Sequence, residues 1–211
     1  LEAYKEDMYL LEAQDRRFGV KPMNCPAAAA LYRQSLHSYR DLPLRYADFG
    51  RLHRNERSGV THGLTRVRSL TQDDAHIFCE EAQIHNEVKS FIEMLTESYK
   101  VFKFEKTRFA LSLRPEQRIG SEKAWERAEE ILESILITQG IEYERESGEG
   151  AFYGPKIDVF VPDALGREWQ LGTVQLDFVQ PERFNLEYVS EDGGRKRPAM
   201  VHRAMLGSLE R

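Results

Sequence analysis

Apolar residues recur at helical spacing through Ile77, Ile84, Val88, Phe91, Leu95 and Tyr99, which predicts a long amphipathic helix. Trp125, Ala128, Ile131, Ile135 and Leu136 repeat the pattern, and Gly140 ends it. Strand patterning replaces it elsewhere. Thr107–Leu113 alternates, and Ile157, Val159 and Val161 alternate with polar or aromatic neighbours; Asp163-Ala164-Leu165-Gly166 then supplies a turn, and Glu168–Phe178 returns as a partner strand. Tyr46–Glu56 and Thr65–Thr71 read as two more strands around a polar loop marked by Ser58-Gly59 and His62-Gly63. Pro26 opens a predicted helix over Ala27–Ser38, since proline suits the first helical turn. A last turn at Asp192-Gly193-Gly194 precedes a helix predicted to begin near His202. Strands joined by short turns, with helices interspersed irregularly, predict an α+β fold: a mainly antiparallel sheet flanked by helices. Regular βαβ alternation is missing, which disfavours a doubly wound parallel sheet.

Length and composition narrow this little. The 211 residues suit one domain with a sizeable core, and 41% hydrophobic with 31% charged residues is ordinary for a globular chain. No repeat or low-complexity linker divides it, so 1–211 is read as one unit. No apolar run approaches the roughly 20 residues that span a bilayer, and acidic residues within Leu1–Leu11 exclude a signal or transit peptide. Two cysteines, Cys25 and Cys79, are too few for a disulfide framework and imply a reducing, cytoplasmic location. Cys79 reads as a buried helix residue. The net charge of -5 excludes a surface that is basic all over, while leaving room for a local basic patch.

Candidate chemistry concentrates in Arg66-Val-Arg-Ser-Leu-Thr-Gln-Asp-Asp-Ala-His76. In an extended chain Arg66, Arg68, Leu70, Gln72 and Asp74 share one face. Arg51, Arg54 and Arg57 precede them, giving five arginines between residues 51 and 68. Arginine forks suit phosphate oxygens because their planar donors bond two acceptors at once. A fan of them beside an amide and a carboxylate could hold a triphosphate next to an amino acid. The same residues equally describe a solvated charged hairpin balanced by Asp48, Glu56 and Asp73. Cys25, His76 and His202 are ligands of the kind zinc accepts, but their spacing matches no compact zinc motif. A buried cysteine and two hydrogen-bonded histidines are the simpler account, and spacing does not select these three over His37, His53, His62 or His85.

Four blocks carry a resemblance. Phe49-Gly-Arg-Leu-His-Arg-Asn-Glu56 with Gly63-Leu-Thr-Arg-Val-Arg68 resembles motif 2 of class II aminoacyl-tRNA synthetases, and Gly207-Ser-Leu-Glu-Arg211 resembles the start of their motif 3. Lys21-Pro-Met-Asn-Cys-Pro26, Thr71-Gln-Asp-Asp-Ala-His76 and Val201-His-Arg203 are similar to the threonyl-tRNA synthetases in particular. The resemblance implies a class II catalytic fold that activates L-threonine with ATP for transfer to tRNA(Thr). It implies a zinc ion on Cys25, His76 and His202, and Mg²⁺ with the ATP. Arg54 is expected at the α-phosphate, Arg66 at the γ-phosphate and Arg211 over the adenine, with Glu56 accepting from the adenine amino group. Lys156, Gln170, Thr173 and the floor residue Leu70 complete the nucleotide pocket. Met23, Gln72, Asp74, Tyr153 and Gln175 surround threonine. Shape separates near-isosteres such as valine and threonine by only roughly 10–200-fold, whereas a metal with open positions can take both the amine and the hydroxyl of threonine.

The sequence departs from the family pattern at two positions and in extent. Ala28 stands where the family has histidine, and Leu70 where it has the phenylalanine that stacks on adenine. The segment begins after the place of motif 1, the family's dimer-forming element, and stops at the first turn of the motif 3 helix. Editing and anticodon-binding domains are absent from it, and since motif 1 is missing a homodimer is expected of the full-length protein only. A synthetase-like regulatory or RNA-binding protein without catalysis is the alternative that Ala28 and Leu70 favour.

Overall fold

The computed structural model describes residues 2–104 and 106–211; Leu1, the first residue of the acidic opening segment, lies outside them. A seven-stranded sheet organises the chain. In chain order its strands are β1 (Leu44–Asp48), β2 (Asp74–Cys79), β3 (Arg108–Ser112), β4 (Tyr143–Glu146), β5 (Lys156–Pro162), β6 (Glu168–Asp177) and β7 (Ala199–Ala204). They lie side by side as β1-β2-β7-β6-β5-β3-β4. Every pairing is antiparallel except β3 with β4, so the predicted α+β architecture is what the chain adopts.

The two faces of the sheet differ in chemistry because side chains alternate along a strand. Ile77, Val201, Leu176, Ile157 and Leu111 all belong to one apolar core. That core is closed by two helices, α2 (Ile84–Val101) and α3 (Glu122–Thr138). Helix α2 buries Ile84, Val88, Phe91, Leu95 and Tyr99 at three- and four-residue intervals. Helix α3 begins where Ser121 Oγ accepts from the Ala124 amide at 3.2 Å, satisfying one of the unpaired first-turn donors. The other face carries polar side chains. Helix α1 (Cys25–Tyr32) anchors a smaller cluster with Phe78 and Met200 at that side. Among the described residues no helix is long and apolar enough to cross a membrane.

Several elements differ from the sequence-based expectation. Helix α1 stops at Tyr32 instead of reaching Ser38, because Ser38 is itself an extended cap: its Oγ accepts from Arg40 N, and its own amide donates to Asp41. The strand expected over Tyr46–Glu56 breaks at Phe49-Gly50, where a Cβ on Gly50 would lie 2.6 Å from Asp48 Oδ1 and Lys21 Nζ. After the break Arg51–His53 leaves the sheet and pairs with Ser69–Thr71 as a separate hairpin. Thr65 and Arg66 are no part of that strand, since their amides turn back onto the His62 carbonyl. Ile77 and Cys79 lie on β2, not at the start of α2, and His202 lies on β7, not on a helix. Tertiary pairing overrides local preference at both places: β2 and β7 bond to each other and each to a further strand.

Candidate functional site

Register assembles the site. Tyr46, His76, His202, Gln175, Lys156 and Ser112 face one another in sequence across six neighbouring strands. They form one row on the polar face of the sheet. One step along, Asp158 sits opposite Thr173, and Thr173 opposite Ala204. No short sequence motif could display this row, because each strand contributes one or two members.

Two cavities open over it. The first, of about 370 Å³, is lined by Met23, Cys25, Asp74, His76, Tyr153, Lys156, Gln175 and His202 among others. The second, of about 390 Å³, is lined by Glu56, Arg66, Leu70, Leu171, Gly207 and Arg211 among others. Arg54, Gln72, Gln170 and Thr173 line both. The cavities therefore share a seam, with a guanidinium, two amides and a hydroxyl at it. Every residue to which the resemblance gives a role lines one cavity or the other. Arg51, Arg57 and Arg68 line neither; the Arg68 guanidinium donates to the Glu56 carbonyl at 3.0 Å and braces the hairpin. The single extended face expected from Arg66 to Asp74 is thus broken, although Arg66, Leu70, Gln72 and Asp74 still converge.

In the lining of the first cavity the ligand atoms of Cys25, His76 and His202 lie within 4.8 Å of one another, and all three residues are buried. The rings of His76 and His202 meet edge to face with centroids 4.9 Å apart. His202 Nε2 bonds Asp177 Oδ2 at 3.0 Å, whereas His202 Nδ1 and His76 Nε2 are buried without a hydrogen-bond partner. Buried polar nitrogens are rarely left so, and an orphan pair beside a thiol is the donor set a metal would satisfy. Burial opposes charge on His202, but the Cys25 and Asp177 groups outweigh it and lift the ring to about 10. Burial, then the neighbouring His202, holds His76 well below its usual range. A thiol and two imidazoles converging with unpartnered nitrogens are a donor set that fits a zinc ion.

Asp74 lies beside the cluster, with Oδ1 3.9 Å from His76 Nε2. Burial raises its carboxyl, and the Asn24 amide, donating to Oδ2 at 3.0 Å, partly offsets this. Asn24 occupies the N-cap position of α1 yet makes no side-chain cap, its amide being committed to Asp74. Tyr153 donates to Gln175 Oε1 at 2.8 Å on the opposite wall. In the second cavity Arg66 and Glu56 pair with each other at 3.0 Å, and Arg211 Nη2 donates to the Gln170 carbonyl at 2.5 Å. The two arginine-bearing segments are tied together: Leu209 N donates to Thr71 O, and Glu210 accepts from Thr71 N and Oγ1. Buried Asp73 accepts from Met205 N and Leu206 N, fixing the turn after β7.

Sequence reasoning missed Asn24, Asp158 and Asp177, three buried side chains that hold the lining residues in place. The signal was present for two of them: Asp158 and Asp177 alternate with Ile157, Val159 and Leu176 on strands otherwise read only for their apolar members.

Comparison with known proteins agrees with this geometry. Residues 9–211 match the family described as the tRNA synthetase class II core domain (G, H, P, S and T). Threonine–tRNA ligases of Cupriavidus necator and Burkholderia mallei are 55% and 54% identical over 208 residues, 99% of this chain. That stretch is 33% of each relative, so the chain spans about a third of their length. The crystal structure described as the RNA binding domain of threonyl-tRNA synthetase from Cryptosporidium parvum Iowa II superposes with a TM-score of 0.95 at 47% identity, covering 99% of this chain and 52% of that one. A putative threonyl-tRNA synthetase from Aeropyrum pernix gives 0.85 at 36% identity, covering 100% and 50%.

Proposed function

The chain belongs to the class II core-domain family of tRNA synthetases, and from that premise we propose that it activates L-threonine with ATP for transfer to tRNA(Thr). The observation that carries the proposal is the shared seam: one cavity is lined by a Cys-His-His cluster, the other by Arg66 and Arg211, and Arg54 borders both.

Under this reading a threonine carboxylate oxygen attacks the α-phosphorus of ATP at the seam. The bond from that phosphorus to the bridging oxygen breaks, and pyrophosphate departs through the second cavity. Arg54 stabilises the charge that builds on the α-phosphate, and a fixed donor at such a point is worth roughly 10²–10³ in kcat. Arg66 takes the γ-phosphate, releasing Glu56 to accept from the adenine amino group, while Arg211 and Leu70 enclose the base. Lys156, Gln170 and Thr173 hold the nucleotide side of the seam. Gln72, Asp74, Tyr153, Gln175 and Met23 hold threonine, with Asp74 facing its ammonium and hydroxyl. Little covalent work falls to the protein, which positions reactants and supplies preorganised positive charge. A zinc ion held by Cys25, His76 and His202 would supply open coordination positions that an amino alcohol fills and valine cannot. Mg²⁺ accompanies the ATP, a cytoplasmic setting follows from this role, and dimerisation through motif 1 belongs to a full-length protein.

Leu70 in place of an aromatic floor, and Ala28 beside the metal cysteine, favour a second reading as a non-catalytic relative. Threonine-dependent ATP–pyrophosphate exchange separates the two when residues 1–211 are carried in the full-length frame of a relative. Exchange that collapses on Arg54→Ala supports activation. Absence of exchange in a folded, zinc-loaded protein supports the second reading.

A further inference from the structure

Asp158 lines neither cavity, yet it touches the residues that line both. Only 1% of it is exposed, on β5 between Ile157 and Val159, which are core residues. Its Oδ1 accepts from Gln170 Nε2 at 2.6 Å and Thr173 Oγ1 at 3.0 Å. Its Oδ2 accepts from Ser112 Oγ at 2.7 Å and from the Lys156 ammonium. A carboxylate has about four lone-pair sites, so these four donors saturate it. They come from three adjacent strands, and the carboxylate is the common acceptor that fixes their relative positions.

The consequence lies at the seam. Gln170 and Thr173 border both cavities, and Lys156 borders the first. A glutamine and a lysine have several rotatable bonds each, so ordering such side chains costs conformational entropy. Tying their ends to one buried carboxylate spends that entropy before any ligand arrives. The charge also matters: the Lys156 side chain is only 16% exposed, and the Asp158 carboxylate is its ion-pair partner. We propose that Asp158 is the positioning residue of the nucleotide side of the seam, holding Lys156, Gln170 and Thr173 preorganised for a triphosphate. The inference rests on the nucleotide reading above and deepens it.

Equilibrium binding of Mg·ATP to the 211-residue chain, by calorimetry, tests the two separately. Asp158→Asn keeps shape but puts an amide donor among four donors, and removes the counter-charge. Loss of one or two charge-assisted hydrogen bonds predicts ATP binding weakened roughly 10- to 100-fold. Zinc content is expected to be unchanged in the variant. A folded Asp158→Asn chain that binds ATP like the parent overturns the inference. So does a parallel loss of ATP affinity and zinc, which would mark a merely structural role. If the asparagine variant does not fold, Asp158→Glu keeps the charge and displaces it by one methylene; unchanged ATP affinity there overturns the inference equally. A parent chain that binds no ATP sinks the nucleotide reading itself and takes the inference with it.

Discussion

Leu70→Phe is the substitution whose effect the second cavity specifies most closely. Leu70 lies on the short strand Ser69–Thr71, faces Leu52 across the hairpin, and is only 9% exposed. It lines the same cavity as Arg66 and Arg211, where the adenine is proposed to lie. Leucine supplies an apolar floor without a π face. Stacking of a base on an aromatic side chain is worth about 1–3 kcal/mol when measured against alanine. Leucine already retains part of that through contact, so the gain from phenylalanine is set at about 1 kcal/mol, within the range for aromatic pairs beyond buried area. At roughly 1.4 kcal/mol per decade this is about a fivefold tighter Kd. The opposing term is overpacking, at about 1–3 kcal/mol of folding stability if the larger ring is forced into the hairpin core. Calorimetric titration with Mg·ATP reads the first term and thermal unfolding reads the second. The expected result is a lower Kd for ATP, an unchanged response to threonine, and a Tm within a few degrees of the parent. An ATP affinity that is unchanged or weaker in a chain of unaltered Tm would refute the stacking argument and, with it, the assignment of Leu70 to the base.

Two further predictions concern the core and the cysteines. Arg45 on β1 makes two 2.7 Å bonds to the nearly buried Glu87 carboxylate on α2, so Arg45→Ala strands that charge. Because Arg45 itself is more than half exposed, the screened cost is about 1–3 kcal/mol in urea unfolding; a change below a few tenths would show the pair to be idle. Burial, reinforced by Glu87, pushes the Cys79 thiol up to about 12. The stability this group contributes is fully present below the ordinary thiol range and is lost as pH rises through 9 towards 12. In the native chain at pH 8, iodoacetamide is therefore expected to modify Cys25, which lines the first cavity, long before Cys79, with added zinc protecting Cys25. Equal labelling of both thiols by mass spectrometry contradicts this.

How much of this was legible in the sequence depended on the range of the interaction involved. Local periodicity located α3 and the body of α2, because an amphipathic helix advertises its buried stripe in adjacent turns. It failed at His202 and Ile77. Both lie on strands bonded on each side, where the deciding partners are more than a hundred residues apart. The spacing of Cys25, His76 and His202 meant nothing on its own; resemblance grouped them, sheet register explains why the two histidines meet, and the start of α1 brings Cys25 to them. Arg68 was misplaced because the alternation argument assumed a continuous strand, whereas the regular strand begins only at Ser69, after Thr65 and Arg66 have turned back onto the His62 carbonyl. Asp158 and Asp177 were overlooked because a carboxylate on a strand reads as a solvent-facing residue until its donors are known.

The most direct test of the central claim is the metal content of the purified chain, measured by elemental analysis alongside its Cys25→Ser variant. Convergence of Cys25, His76 and His202 on one ion predicts about one zinc per parent chain and almost none in the variant. Zinc content unaffected by Cys25→Ser, or a folded parent that takes up no zinc, would contradict it.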